Sequence, residues 1–100
     1  DPVKYTLPVV GPNRDHVYHQ FTVLAEKRDA LTAAFDKAGI GWGLHYPIPV
    51  HLMRGFASLG YTVGDFPVSE KLCARILSLP MYPGMTEAEV DEVAKVMNAV

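Results

Sequence analysis

The sequence predicts an α+β fold, a small and mainly antiparallel sheet covered by helices, within a single 100-residue domain. Three observations carry this prediction. Hydrophobic residues make up 49% of the chain and charged residues 20%, a balance that builds a core rather than a disordered segment. Two-residue alternation runs from His16 to Leu24, as in a half-buried strand. Apolar stripes of helical spacing follow it, one ending at Gly39 and one opening at Thr86. A domain of this size hides only about two-thirds of its extended-chain surface, so an apolar patch belonging to a missing partner matters to it.

Taken in order, Val3 to Val10 alternates loosely, contains Pro8 and stops at Gly11-Pro12, which suits an edge strand or a linker. In the strand His16 to Leu24, the residues Val17, His19, Phe21 and Val23 share one face; Tyr18, Gln20, Thr22 and Leu24 share the other. Lys27 to Ala38 reads as a helix with Leu31, Ala34, Phe35 and Ala38 on its buried stripe and Gly39 as its stop. Ile40 to His51 reads as a short strand passing into a stiff extended loop, because Pro47 and Pro49 restrain themselves and their predecessors. A short helix is expected from Leu52 to Leu59, closed by Gly60. Pro67 suits a first helical turn, and Val68, Leu72, Ile76 and Leu77 mark the stripe of the helix it opens. Ser78 to Met81 is expected to be a short strand ended by Tyr82-Pro83-Gly84. Thr86 and Glu89 form a capping box for a last helix, with Val90, Val93, Ala94, Met97 and Val100 on its apolar side.

Charge and composition exclude several function classes. The net charge is -2 with both signs scattered, and phosphate-backbone binding needs clustered cations, so no nucleic-acid partner is expected. No apolar run approaches the roughly 20 residues that span a bilayer, so no membrane partner is expected either. No signal-peptide pattern opens the chain. It begins inside an extended apolar stretch, as a cut fragment would. The single Cys73 forbids an internal disulfide, which suits a reducing, cytoplasmic setting.

Three stretches in register carry more specific information: HVYHQFTVL from His16, AGIGWGLHYPIPVH from Ala38, and FPVSEKLCARILSLPMYPGMTEAEVDEV from Phe66. Together they resemble the end of the DegT/StrS family of sugar aminotransferases over about residues 14 to 100. The resemblance implies that residues 1–100 are the C-terminal small domain of such an enzyme, with 1–13 an edge strand or linker from a missing N-terminal large domain. Family members are homodimers that use pyridoxal phosphate (PLP), and most move an amino group from glutamate or glutamine to a nucleotide-linked keto sugar; relatives run dehydratase chemistry on the same cofactor. The cofactor imine forms on a lysine of the large domain. None of Lys4, Lys27, Lys37, Lys71 and Lys95 lies in that context. The resemblance thus implies PLP in the parent enzyme, no cofactor on the isolated chain, and no catalytic residue within it. The alternative is a stand-alone, non-catalytic binding or dimerisation module derived from such a domain.

Within this frame His45-Tyr46-Pro47-Ile48-Pro49-Val50-His51 is the most informative motif, since the matching family stretch lies near the active-site mouth. A rigid loop bearing imidazole and phenol groups can hydrogen-bond sugar or phosphate oxygens. His45 and Tyr46, then His51, are the candidate substrate-binding residues; the competing reading is loop packing. Trp42, between two glycines, is read as an interface anchor toward the large domain or the dimer mate, with stacking on a base or sugar as the other role. His19 is expected to be a hydrogen-bonded core or interface residue. His16 and His19 point to opposite faces and no pair has zinc spacing, so no metal is expected. Arg54 reads as a surface residue and Cys73 as packing filler.

Overall fold

The computed structural model describes residues 1–100. Its regular elements are β1 (Tyr5–Thr6), β2 (Phe21–Ala25), α1 (Arg28–Ala38), α2 (Pro67–Arg75), β3 (Ile76–Leu79) and α3 (Glu87–Ala99), with 3₁₀ turns at Val50–Leu52 and Arg54–Leu59. The strands form one antiparallel sheet in the order β1-β2-β3. Tyr5 pairs with Ala25, and Phe21, Thr22, Val23 and Leu24 pair with Leu79, Ser78, Leu77 and Ile76. This is the expected α+β class.

The core lies on one face of the sheet. Alternation sends Val23, Ala25 and Leu77 to that face, where they meet Leu31 and Phe35 of α1 and Val93 and Met97 of α3. Leu31, Phe35, Val23 and Leu77 are fully buried, each worth about 1.5–3 kcal/mol relative to exposure. The Tyr5 hydroxyl donates to the Met97 carbonyl at 2.6 Å and so ties the edge strand to α3. Burial pushes that hydroxyl's pKa up, which keeps its proton in place for the bond. Gly39 ends α1 in a left-handed turn (φ 69°), with the Gly39 and Ile40 amides returning to the Asp36 and Phe35 carbonyls. At α3 the capping box closes as expected: the Glu89 amide donates to Thr86 Oγ1, and the Thr86 amide donates to Glu89 Oε2. The Tyr82 hydroxyl also donates to Glu89, and these donors hold the Glu89 carboxyl down at about 2.

Several boundaries move. The strand at His16 begins only at Phe21, because Tyr18 takes a left-handed φ of 47° and donates its amide to the His16 ring at 2.8 Å. Val17, expected on the inner face, is therefore 90% exposed. The helix opened by Pro67 stops at Arg75, one residue short of Ile76 and Leu77, which belong to β3. The reason is tertiary: Ile76 to Leu79 fills the ladder position beside β2, and burial on both faces suits a continuous apolar run. Without those two residues α2 buries nothing, and Val68 and Leu72 are exposed. The expected strand after Ile40 shrinks to one bridge between Gly43 and Ser78. Val90 faces outward on α3. The helix expected at Leu52 to Leu59 is the pair of 3₁₀ turns.

Ten residues in all are buried, and the radius of gyration is 15.6 Å against about 13 Å for a compact domain of this length. The excess comes from segments that leave the core, and apolar side chains such as Val9, Tyr46, Val50, Leu59 and Val63 face outward on them. No helix is long and apolar enough to cross a membrane.

Candidate functional site

The free edge of β3 builds the site. Gly43 and Ser78 exchange both backbone hydrogen bonds, at 3.1 and 2.8 Å. A strand residue directs its amide and carbonyl to the same side, so Ser78 has none left for β2. Thr22 and Ser78 are thus a non-hydrogen-bonded antiparallel pair, the kind that brings side chains closest. Their hydroxyls meet at 2.9 Å. The His45 Nδ1 lies 2.9 Å from the same Ser78 Oγ. Its ring can lie there because residue 43 has no side chain: a Cβ at Gly43 would stand 2.7 Å from the His45 Cε1.

Beside this edge opens a shallow cleft of about 390 Å³, lined by His19, Gln20, Trp42, His45, Ser78 and Met81 together with Gly41, Gly43, Leu79 and Pro80. No lysine, arginine or carboxylate lines it. Trp42 is 37% exposed and donates its indole N–H to Asp36 Oδ1 at 2.8 Å, which fixes the ring across the end of α1. Tyr46 packs edge-on against His45, with centroids 5.6 Å apart, and is two-thirds exposed. A larger groove of about 570 Å³ runs between the N-terminal arm and α3, but its lining is mostly apolar and holds no histidine.

The structure brings His45, Tyr46 and Trp42 to one edge and sets His51 in a separate cluster. His51 Nε2 lies 3.0 Å from Glu70 Oε1, its ring packs on Phe66, and its side chain is 8% exposed. Glu70, in the first turn of α2, also accepts the Gly64 amide at 2.9 Å and the Phe66 amide at 3.3 Å. Foremost the Gly64 amide, then the His51 ring and the Phe66 amide, lower the Glu70 carboxyl pKa below its usual 4.5. Glu70 therefore staples the end of the Tyr46–Pro49 loop to the start of α2.

Three residues of these clusters went unmarked as site residues in the sequence. His19 is exposed on the cleft rather than held in the core. Glu70 had no visible partner. Ser78 did leave a signal: a lone hydroxyl inside the apolar run Ile76-Leu77-Ser78-Leu79 requires a hydrogen-bond partner once buried. Arg54 is exposed and Cys73 half-buried. No three His, Cys, Asp or Glu side chains gather as metal ligands do. The lysines stay away from the cleft: Lys4 reaches the Asn98 carbonyl, Lys95 reaches Glu92, and Lys27, Lys37 and Lys71 are exposed.

Residues 3–98 match the DegT/DnrJ/EryC1/StrS aminotransferase family. The chain is 45% identical over 82 residues to the pleiotropic regulatory protein of Geobacillus stearothermophilus, covering 82% of this chain and 22% of that protein. It is 40% identical over 91 residues to a UDP-N-acetyl-3-dehydro-alpha-D-glucosamine 3-aminotransferase of Acidithiobacillus ferrooxidans, covering 91% and 24%. It superposes on the crystal structure of S. venezuelae DesV in complex with a ketimine intermediate with a TM-score of 0.83 and 36% identity, over 96% of this chain and 25% of that one. The chain thus spans about a quarter of the length of the relatives it matches.

Proposed function

This chain belongs to the DegT/DnrJ/EryC1/StrS aminotransferase family, and on that premise we propose that it is the C-terminal small domain of a PLP-dependent enzyme that moves an amino group from glutamate or glutamine to a nucleotide-linked keto sugar. The observation that carries this reading is the match of nearly the whole chain to about a quarter of proteins named for that chemistry. A 3-dehydro sugar and a ketimine, named for two of them, are the keto substrate and the imine that amino transfer requires.

The chain's own residues do not fit the role of covalent PLP holder. An imine with the cofactor aldehyde needs a lysine in a pocket, and no lysine lines the cleft. When bound, PLP supplies the electron sink for the transfer; its lysine belongs to an N-terminal domain. The role left to this chain is to receive substrate and close the site. His45 and Tyr46 present an imidazole and a phenol at the free edge of β3 for sugar or phosphate oxygens. His51 serves the same substrate-facing loop by anchoring its far end on Glu70. Trp42 faces the large domain or a dimer mate, and the exposed residues Ile48, Val50 and Leu59 extend that surface. The enzyme is a cytoplasmic homodimer in this reading.

The test pairs two samples. The whole protein is expected to transfer nitrogen from glutamate or glutamine to a nucleotide-linked 3-keto sugar, with mass spectrometry reading the amino sugar. The 100-residue chain with PLP and glutamate is expected to form no pyridoxamine phosphate above the free-cofactor rate. A native protein that makes no amino sugar and binds no PLP would instead establish the stand-alone binding module.

A further inference from the structure

Ser78 is the odd residue of β3. Its neighbours Ile76, Leu77 and Leu79 are apolar, its own exposure is 5%, and both of its backbone polar groups are taken by Gly43. Filling that position needs only a small side chain; a hydroxyl there carries a desolvation cost unless it is hydrogen-bonded. Two partners meet it, Thr22 Oγ1 and His45 Nδ1, each at 2.9 Å. Nothing else in the chain bonds the His45 ring, and its Nε2 has no partner. His45 is the residue of this trio whose ring extends into the cleft's exposed lining.

We propose that Ser78, backed by Thr22, is a positioning residue that anchors His45 by Nδ1 so that Nε2 is offered to a sugar hydroxyl in the cleft. The inference rests on the reading above that the cleft receives substrate. The relay consists of hydroxyls alone. If Thr22 donates to Ser78 and Ser78 to Nδ1, then Nε2 carries the proton and donates. If the two hydroxyls rotate, Nδ1 donates to Ser78 and Nε2 accepts. A carboxylate in place of Ser78 would fix one state. Two rotatable hydroxyls leave both open, which matches a ligand hydroxyl that can itself donate or accept. The lining agrees: it lacks lysine and arginine and offers the polar side chains of Gln20 and His19, a set suited to an uncharged sugar ring.

The test is Ser78→Ala in the whole protein, read in two ways. The first is ¹⁵N NMR of histidine-labelled protein, with the His45 signals assigned by loss in His45→Gln. The Nδ1 and Nε2 shifts of His45 are expected to move while those of the other histidines stay. The second is the kinetics of amino-sugar formation. A rise of about five- to tenfold in KM for the nucleotide sugar is expected, the worth of about one hydrogen bond, with kcat within about twofold. Thr22→Val, at the half-buried end of the relay, is expected to move the same His45 signals and KM less. It takes the place of Ser78→Ala should that variant not fold. Unmoved ring nitrogens, or moved ones with an unchanged KM, would overturn the inference while leaving the aminotransferase reading intact. A wild-type protein without amino-sugar formation would sink that reading instead. The ring nitrogens alone would then decide whether Ser78 holds His45.

Discussion

Leu31, Phe35, Val23 and Leu77, where α1 and α3 meet the sheet, have no solvent exposure, whereas from Leu44 to Phe66 no residue is buried. The first region is held by burial of apolar surface, summed over a core of eight buried residues. The second is held by 3₁₀ turns, by Asp65, which accepts the Thr62 amide, and by Glu70, which gathers two amides and a histidine ring. Many of its apolar side chains, among them Tyr46, Ile48, Val50, Leu59 and Val63, are left outside. A segment ordered this way has little stability of its own and a large surface to offer. That is the arrangement expected of the part of a small domain that meets substrate, cofactor domain or partner subunit, and the opposite of what a self-sufficient core shows.

The contrast can be broken first in the core. Phe35→Ala removes a fully buried ring between α1 and the sheet, and a loss of about 3–5 kcal/mol is expected, enough to unfold much of an isolated domain. Urea denaturation followed by circular dichroism checks it. A loss below 1 kcal/mol would mean that the core is not what holds the chain.

Acid comes next. The folded-state pKa of Glu89, about 2, lies below its ordinary 4.5. The tie between the capping box and Tyr82 therefore contributes fully above pH 4.5 and is lost as pH falls from there toward 2. Urea midpoints of the wild type are expected to drop across that interval more steeply than those of Glu89→Gln. Parallel pH profiles would show that the carboxylate is not held down in the folded state.

Glu70→Ala should separate the two regions. The Gly64 and Phe66 amides are expected to exchange with solvent faster and the 53–65 stretch to become open to proteolysis, while the α1 and α3 amides keep their protection. Uniform loss of protection would show that the two regions unfold as one.

The smallest effect is expected from Gly43→Ala. The new Cβ displaces the His45 ring from Ser78, with a stability change under about 1 kcal/mol, because the ring end can move away. A changed His45 ring signal with an unchanged melting curve is the expected pair of observations.

Much of this architecture is written in local chemistry. The capping box at Thr86 and Glu89, the Gly39 stop and the stripe through Leu31 and Phe35 appear where the sequence puts them, because each depends on residues within one or two turns. The three-part family resemblance was likewise legible, and the family match over residues 3–98 bears it out. The end of α2 was not. Val68, Leu72, Ile76 and Leu77 keep helical spacing, and only the vacant ladder position beside β2, fifty residues earlier in the chain, turns Ile76 and Leu77 into a strand. The same non-local pairing set Ser78 against both Thr22 and Gly43. His51 stands after His45 and Tyr46 in the same motif along the chain; a glutamate nineteen residues onward takes it into a different cluster. Helix caps and stripes are settled by neighbours in sequence, so the sequence alone determined them. Strand partners, and the hydrogen bonds of buried polar side chains, are settled by whichever distant segment completes the ladder, and only the tertiary structure decided those.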